Sequence, residues 1–353
     1  MARRPAGYFV REYGQELAVV NTRTQSILLV LLLVLLYVCP LFLGRTWISW
    51  LTSTSIFLIA ALGLNITTGY TGQISIGQAA FMGFGAFAGA AMANHFDWPF
   101  LACLLFAGLM GAIIATVFSV ACFRLKGFYL ALVTLAAHVF LPFVVLHLPR
   151  WTGGVDGLSL PLPSIGGLVF DTSQKWFYVV LTVAVLAVFA AKNLQRTRIG
   201  RAFIAIRDND RAASAVGINV TMYKMLAFFV GAFFAGVAGY LLVSGYAHCD
   251  LAYFGFLDSI WLLGMLIVGG MGTTTGTIFG TLLLRLIYFG TNQLAPSLVS
   301  AVPFLPFRVA SGALYILYGL VIIAFLVFEP RGMNHLWERF KNWYRYWPLS
   351  HAA

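Results

Sequence analysis

Residues able to do chemistry are few in this sequence and stand far apart. The chain holds 11 acidic residues. Asp97, Asp156, Asp171, Asp250 and Asp258 fall to one side of the apolar segments described below, and Asp208 and Asp210 to the other. No two are placed as a paired acid and base. The sequence contains no HExxH, no GxSxG and no GxxxxGK[ST]. If nucleotide drives this protein, a different chain must bind it. The four cysteines, Cys39, Cys103, Cys122 and Cys249, form no CxxC pair, and the six histidines lack metal-ligand spacing. No enzymatic activity, metal or cofactor is expected.

Binding chemistry is better represented. Between Asn65 and Gln78 the side chains of Asn65, Thr67, Thr68, Tyr70, Thr71, Gln73, Ser75 and Gln78 offer donors and acceptors without net charge. Such a set suits a zwitterion, whose ammonium and carboxylate need partners but whose release a fixed ion pair would slow. Backbone N–H groups at a helix start add a positive end for a carboxylate. Close packing of helices through Gly, Ser and Thr accounts for the same composition. The translocation-path candidates are therefore Asn65, Tyr70, Thr71, Gln73, Ser75 and Gln78, joined by His138. This histidine lies inside the apolar run Leu135-Ala-Ala-His-Val-Phe, where an ionisable group is either functional or bonded to a neighbouring helix carbonyl. Arg285, in Leu282-Leu-Leu-Arg-Leu-Ile, must snorkel, pair, or face a pore or a partner subunit.

The second informative stretch is 193–222. Ile199, Phe203 and Ile206 recur at helical spacing, while Arg198, Arg201 and Arg207 point elsewhere. Asp208 or Asp210 is expected to cap a second short helix, and Gly217 to stop it with a left-handed residue. Two short amphipathic helices across a membrane surface give a motor something rigid to push. A merely basic, membrane-hugging loop is the alternative.

These residues are positioned by apolar segments. Of 353 residues 61% are hydrophobic and 9% charged, with a mean hydropathy of +0.89. A soluble domain carries about a quarter charged residues, so lipid must be the solvent for much of this chain. The runs are continuous rather than alternating, which selects helices over a barrel. Ten spans are predicted: 27–44, 47–65, 78–94, 100–123, 127–148, 176–192, 223–244, 259–270, 276–295 and 309–328. The third, eighth and ninth are short and rich in Gly, Ala or Thr. The first follows a polar stretch with Arg3, Arg4, Arg11 and Arg23 and ends without a cleavage site, so it reads as a retained helix. Placing 193–222 in the cytoplasm puts 17 of the 22 basic residues inside and four outside, with Arg285 in a span. Both termini are then cytoplasmic. The +11 charge thus sets orientation and does not point to nucleic acid. The expected organisation is a cytoplasmic segment 1–26, a transmembrane domain 27–328 and a cytoplasmic tail 329–353. In the tail Trp337, Phe340, Trp343, Tyr344 and Trp347 among basic residues suit a helix lying on the inner leaflet. Two Gly-rich entries, 69–77 and 269–276, each precede a short span and hint at an internal duplication. The spans hold no Asp or Glu at their centres, which favours an externally powered permease over an ion-coupled carrier. A stand-alone channel or facilitator for a small polar solute such as urea or an amide remains the other reading.

Arg211-Ala212-Ala213-Ser-Ala-Val-Gly217 resembles the EAA-x-x-x-G signature of ABC importer permeases, with Arg211 where Glu is usual and the downstream Ile-x-Leu-Pro missing. The longer run Gly200 to Asn219, followed by Tyr223-Lys-Met-Leu-Ala-Phe228, resembles branched-chain amino acid permeases of the LivM kind. So do Leu64 to Phe81, Gly127 to Ala136, Thr152-Gly-Gly-Val-Asp-Gly157, Gly269-Gly-Met-Gly272, Leu317-Tyr-Gly-Leu and Pro330-Arg-Gly332, in order. The resemblance implies an all-α polytopic ABC importer permease in the bacterial inner (plasma) membrane. It implies a second permease subunit (LivH-like), two ATP-binding subunits, a periplasmic substrate-binding protein and an amino-acid substrate; membrane lipid surrounds the spans. It assigns the ATPase-docking role to Arg198, Gly200, Arg201, Arg207, Asp208, Arg211, Ala212, Ala213 and Gly217. Trp151 to Gly157, rich in tight turns, is a candidate dock for the binding protein. The resemblance does not explain Arg285.

Overall fold

In the computed structural model the described residues are 23–121, 128–301 and 307–346. Most of the N-terminal segment, Arg124 and Lys126, and the residues after Tyr346 lie outside them. Each of the ten apolar runs forms a helix: α1 (Arg23–Val38), α2 (Arg45–Leu64), α3 (Gln78–Phe96), α4 (Phe100–Ala121), α5 (Phe128–His147), α6 (Ser173–Leu194), α9 (Val220–Tyr246), α10 (Phe256–Gly269), α11 (Thr274–Ala301) and α12 (Phe307–Phe328). Between α6 and α9 lie α7 (Arg198–Asp208) and α8 (Asp210–Ala215), and α13 (Met333–Tyr346) follows α12. Among the described residues six stretches are long and apolar enough to cross a membrane: Arg45–Tyr70, Phe100–Val120, Tyr129–His147, Ser173–Leu194, Val220–Tyr246 and Leu251–Gly269. A seventh arises if Ile316–Phe328 and Met333–Lys341, bent by 50°, count as one. The chain is a polytopic helical membrane protein.

Why α3 escapes a hydropathy test is clear from its packing. It lies against α4 and α9, with most of its length buried, so protein and not lipid is its solvent. Small residues make this possible. A Cβ on Gly236 would sit 2.2 Å from the Ala107 carbonyl oxygen, and one on Gly85 2.4 Å from the Gly236 Cα. Without apolar driving force between helices in lipid, such close backbone approach is what holds a bundle together. Helix α1 is the opposite case: Ile27, Leu28 and Leu31 are each more than 60% exposed. At the core α2 packs against α6, α9 and α11.

The all-helical expectation is departed from at four two-residue strands. β1 (Leu158–Ser159) pairs antiparallel with β4 (His248–Cys249), and β2 (Ser164–Ile165) with β3 (Leu168–Val169). They fix the 149–172 segment over the ends of α3 and α9, where Asn94 Nδ2 donates to the Ser159 carbonyl at 2.8 Å. Beyond α12, α13 is an amphipathic helix with Trp337, Phe340 and Trp343 exposed. It docks back on the bundle through Thr275 Oγ1, which donates to Asn334 Oδ1 at 2.6 Å, and through the Trp337 ring against Phe279.

Candidate functional site

The polar stretch after α2 is a break in the membrane helix. The α2 ladder widens into a π-helical turn at Asn65–Tyr70, and residues 71–77 then run without helix. From Arg45 to Tyr70 the helix rises about 39 Å, enough to cross the roughly 30 Å hydrocarbon layer. The chain then turns back. Gln78, at the start of α3, donates through Nε2 to the carbonyls of Ala60 (3.0 Å) and Gly231 (3.3 Å). Ala60 is ten residues before Tyr70, so α3 begins about 15 Å back inside the bundle. Burial alternates along the returning segment: Thr71, Gln73 and Ser75 are buried, while Ile74 is 44% exposed. Polar side chains point into the subunit and an isoleucine points out.

Non-helical backbone at this depth needs partners inside the protein, and three neighbouring side chains supply them. Thr134 Oγ1 on α5 accepts from Ile76 N–H at 3.0 Å. Ser259 Oγ on α10 accepts from Ala79 N–H at 2.9 Å. His138 Nε2 on α5 lies 3.1 Å from the Ile76 carbonyl oxygen and 3.0 Å from Ser259 Oγ. A carbonyl only accepts, so Nε2 carries the imidazole proton. His138 is thus bonded to a backbone carbonyl of the non-helical segment. Thr71 Oγ1 returns to the Thr67 carbonyl at 2.5 Å and accepts from Gln73 Nε2 at 3.1 Å. Four side-chain atoms on the break, Asn65 Nδ2, Thr68 Oγ1, Tyr70 Oη and Ser75 Oγ, are buried without a hydrogen-bond partner among the described residues. Unpaired buried polar groups are rare in native proteins, and four of them gather on this one segment.

The two Gly-rich entries meet at the near end of the break. Asn65 Oδ1 accepts from Gly272 N–H at 2.9 Å. Into the notch between them reaches Arg207 from α7, donating through Nη1 to the Gly69 carbonyl at 3.1 Å. Two glycines of the notch take the positive φ that favours glycine. A Cβ on Gly272, whose φ is +84°, would lie 2.5 Å from Arg207 Nη1; one on Gly72, with φ +70°, would lie 3.1 Å from Arg207 Cγ.

The helix that carries Arg207 is built as the sequence pattern requires. Thr197 Oγ1 caps α7 by accepting from Gly200 N–H at 3.2 Å, and Phe203 and Ile206 are buried. A Cβ on Gly200 would meet the Leu194 carbonyl oxygen at 2.1 Å, which is why α7 turns so sharply out of α6. The cap of α8 corrects the expectation. It is Asn209, not Asp208 or Asp210, whose Oδ1 accepts from Arg211 N–H (3.0 Å) and Ala212 N–H (3.1 Å). Asn209 has the extended backbone a cap needs, whereas Asp208 ends α7 beside Arg207 and Asp210 lies 3.7 Å from Lys224 on α9. Ala213 is buried, and Arg198, Arg201, Arg211 and Ala212 are exposed. Gly217 has φ +89°, and Ile218 N–H closes on the Ala213 carbonyl at 3.1 Å, the left-handed stop expected.

A separate cavity of about 670 Å³ lies between α2, α6, α9 and α11, with Arg285 among its walls. None of the seven path candidates lines it. At its rim Asp171 pairs with Lys175 at 2.8 Å, and this hydrogen bond holds the Asp171 carboxyl below its ordinary value.

Over residues 46–326 the chain matches the family model described as "Branched-chain amino acid transport system / permease component". The chain belongs to this permease family. It is 32% identical over 288 residues to the high-affinity branched-chain amino acid transport system permease protein LivM of Escherichia coli K12, covering 75% of this chain and 68% of that protein. Against the LivM protein of Salmonella typhimurium the identity is 31% over 288 residues, with the same coverage. Against the high-affinity branched-chain amino acid transport system permease protein LivH of Salmonella typhimurium it is 26% over 255 residues, 66% of this chain and 80% of that one. No solved structure gives a significant match. The permease is thus a subunit of an ABC importer and catalyses no reaction itself. Of the residues that hold the break, Thr134 and Ser259 carry no chemistry that singles them out in sequence. Thr134 was within reach only as part of the block Gly127 to Ala136.

Proposed function

We propose that this permease forms part of the path by which an ATP-driven importer moves branched-chain or related amino acids across the bacterial inner membrane. In this reading the ten helices cross with both termini in the cytoplasm, as the 17-to-4 distribution of basic residues requires. A second, LivH-like permease completes the path, a periplasmic binding protein delivers the amino acid, and two ATP-binding subunits grip α7 and α8. The observation that carries the reading is the Arg207 guanidinium lodged against Gly69, which ties the α7–α8 element to the break at a distance of 3.1 Å. Movement of α7 then pulls directly on the polar re-entrant segment. Asn65, Tyr70, Thr71, Gln73, Ser75, Gln78 and His138 form the flexing wall of the path, and their neutral groups hand a zwitterion on without trapping it.

The test is reconstitution. Vesicles containing this chain with its second permease, both ATPases and the binding protein should accumulate leucine only when ATP is present on the ATPase side. Vesicles with this chain alone should show neither ATP hydrolysis nor leucine flux. Passive flux of urea, an amide or leucine through the chain alone would establish a facilitator instead.

A further inference from the structure

Arg285 sits mid-helix on α11, within four residues of four leucines and an isoleucine. An unpaired charge there is costly, and an ionisable residue inside a span marks function by default. Among the described residues no carboxylate lies within ion-pair distance of it. Asp258, on the neighbouring α10, directs its carboxylate to the Gly255 N–H at 3.0 Å. The guanidinium is held from its faces and one corner. Its Cζ lies 4.5 Å from the Phe57 ring centroid and 5.1 Å from that of Tyr288. Nη2 donates to Ser53 Oγ at 2.6 Å, and Trp50 Nε1 fixes the Arg285 backbone carbonyl at 2.9 Å. Nε is buried with no partner. A guanidinium with stacked faces, a fixed backbone and unspent donors is preorganised for a planar anion.

Arg285 adjoins a chamber of fitting size. Arg285 lines the 670 Å³ cavity, within the roughly 300–1,000 Å³ range of small-molecule sites. Trp176 lines it from α6, and its indole N–H is likewise buried without a partner. Trp50, Tyr246 and Phe289 add aromatic walls, suited to an apolar side chain and to an ammonium over a ring face. The cavity extends to Arg45 and Ser173, the first residues of α2 and α6. That end is opposite to the Arg207 notch.

We propose that this cavity is a binding site for an α-amino acid with an apolar side chain, held through its carboxylate by Arg285 and Trp176. It deepens the import reading and rests on it: the solute would dwell here on the outer side before it reaches the break. Nucleotide-free, purified complex without the binding protein is the material to use, with radiolabelled leucine as the probe. Leucine should bind, 4-methylpentanoate (carboxylate without ammonium) should compete, and leucinamide (no carboxylate) should not. Arg285→Gln should weaken binding by about tenfold or more, the loss of a charge-assisted hydrogen bond, and Arg285→Lys should retain part of it. Equal competition by leucinamide, or unchanged binding in Arg285→Gln, overturns the proposal. If Arg285→Gln fails to assemble, the competition profile of the unaltered complex still decides. Normal ATP-driven uptake with no leucine binding to that complex defeats this site and leaves the import reading standing; absence of ATP-driven uptake defeats the import reading itself.

Discussion

Coupling through the Arg207 notch can be tested quantitatively by a double-mutant cycle. Arg207→Met removes the guanidinium donated to Gly69 but keeps the side-chain stem that packs in the notch. A hydrogen bond from a charged group contributes about 1.5–3 kcal/mol when well shielded. The Arg207 side chain is 38% exposed, so solvent screening reduces this to about 1 kcal/mol, a factor of roughly five in an equilibrium. Gly72→Ala attacks the same contact from the opposite side. Its Cβ would come within 3.1 Å of Arg207 Cγ at a φ of +70°, which adds left-handed strain of about 1–2 kcal/mol. The assay is leucine transported per ATP hydrolysed in vesicles holding the full complex. Each single variant should lower that ratio several-fold while ATP hydrolysis continues. Because both act on one contact, the double variant should fall well short of the product of the two. Unchanged coupling in Arg207→Met, or strictly multiplicative effects, would refute the notch as the link.

Other outcomes follow from the same packing. Gly236→Ala places a methyl 2.2 Å from the fixed Ala107 carbonyl and should cost about 1–3 kcal/mol, seen as a lower unfolding temperature in detergent. Gly290→Ala, with nothing within 4 Å among the described residues, should leave that temperature unchanged or raise it slightly. Asn209→Ala removes the cap of α8, about 1 kcal/mol, and hydrogen exchange should quicken at Arg211 and Ala212 while α9 stays protected. The Asp171–Lys175 pair gives a pH dependence of definite sign. Its carboxyl is held below the ordinary value by Lys175, so its contribution is present above the unfolded value, about 3.9, and is lost as pH falls through the lower folded one. Exchange at the first turn of α6 should rise on acidification in that window, and Asp171→Asn should abolish the dependence.

How much of this was legible in sequence differs by level. The helices follow from runs of apolar residues, because an apolar segment in lipid must satisfy its own backbone whatever its neighbours are. Whether α3 touches lipid did not follow: its Gly and Ala content reads as weak hydropathy, and only the contact with α4 and α9 shows that it is packed instead. The amphipathic period of α7 and the stop at Gly217 were plain, since both are local. The cap of α8 went to Asn209 over the two flanking aspartates because caps depend on one backbone angle and on which neighbours compete. Asp208 was engaged by Arg207 and Asp210 by Lys224. Polarity from Asn65 to Gln78 announced a special segment, but not that Gly272, 207 residues on from Asn65, would meet it. Long-range pairs of this kind have no local signature. Arg285 stands out in sequence as a charge in an apolar run, but its chamber is assembled from four helices and has no signature in one.

In the proposed importer α7 and α8 meet a nucleotide-driven motor on the cytoplasmic side. A single cysteine at Ser214, exposed on α8, measures this directly. In sealed cells a membrane-impermeant thiol reagent should leave it unlabelled, and in inverted vesicles a short bifunctional linker should join it to an ATPase subunit. Labelling from outside sealed cells, with no link to the ATPase, would contradict the orientation and the mechanism together.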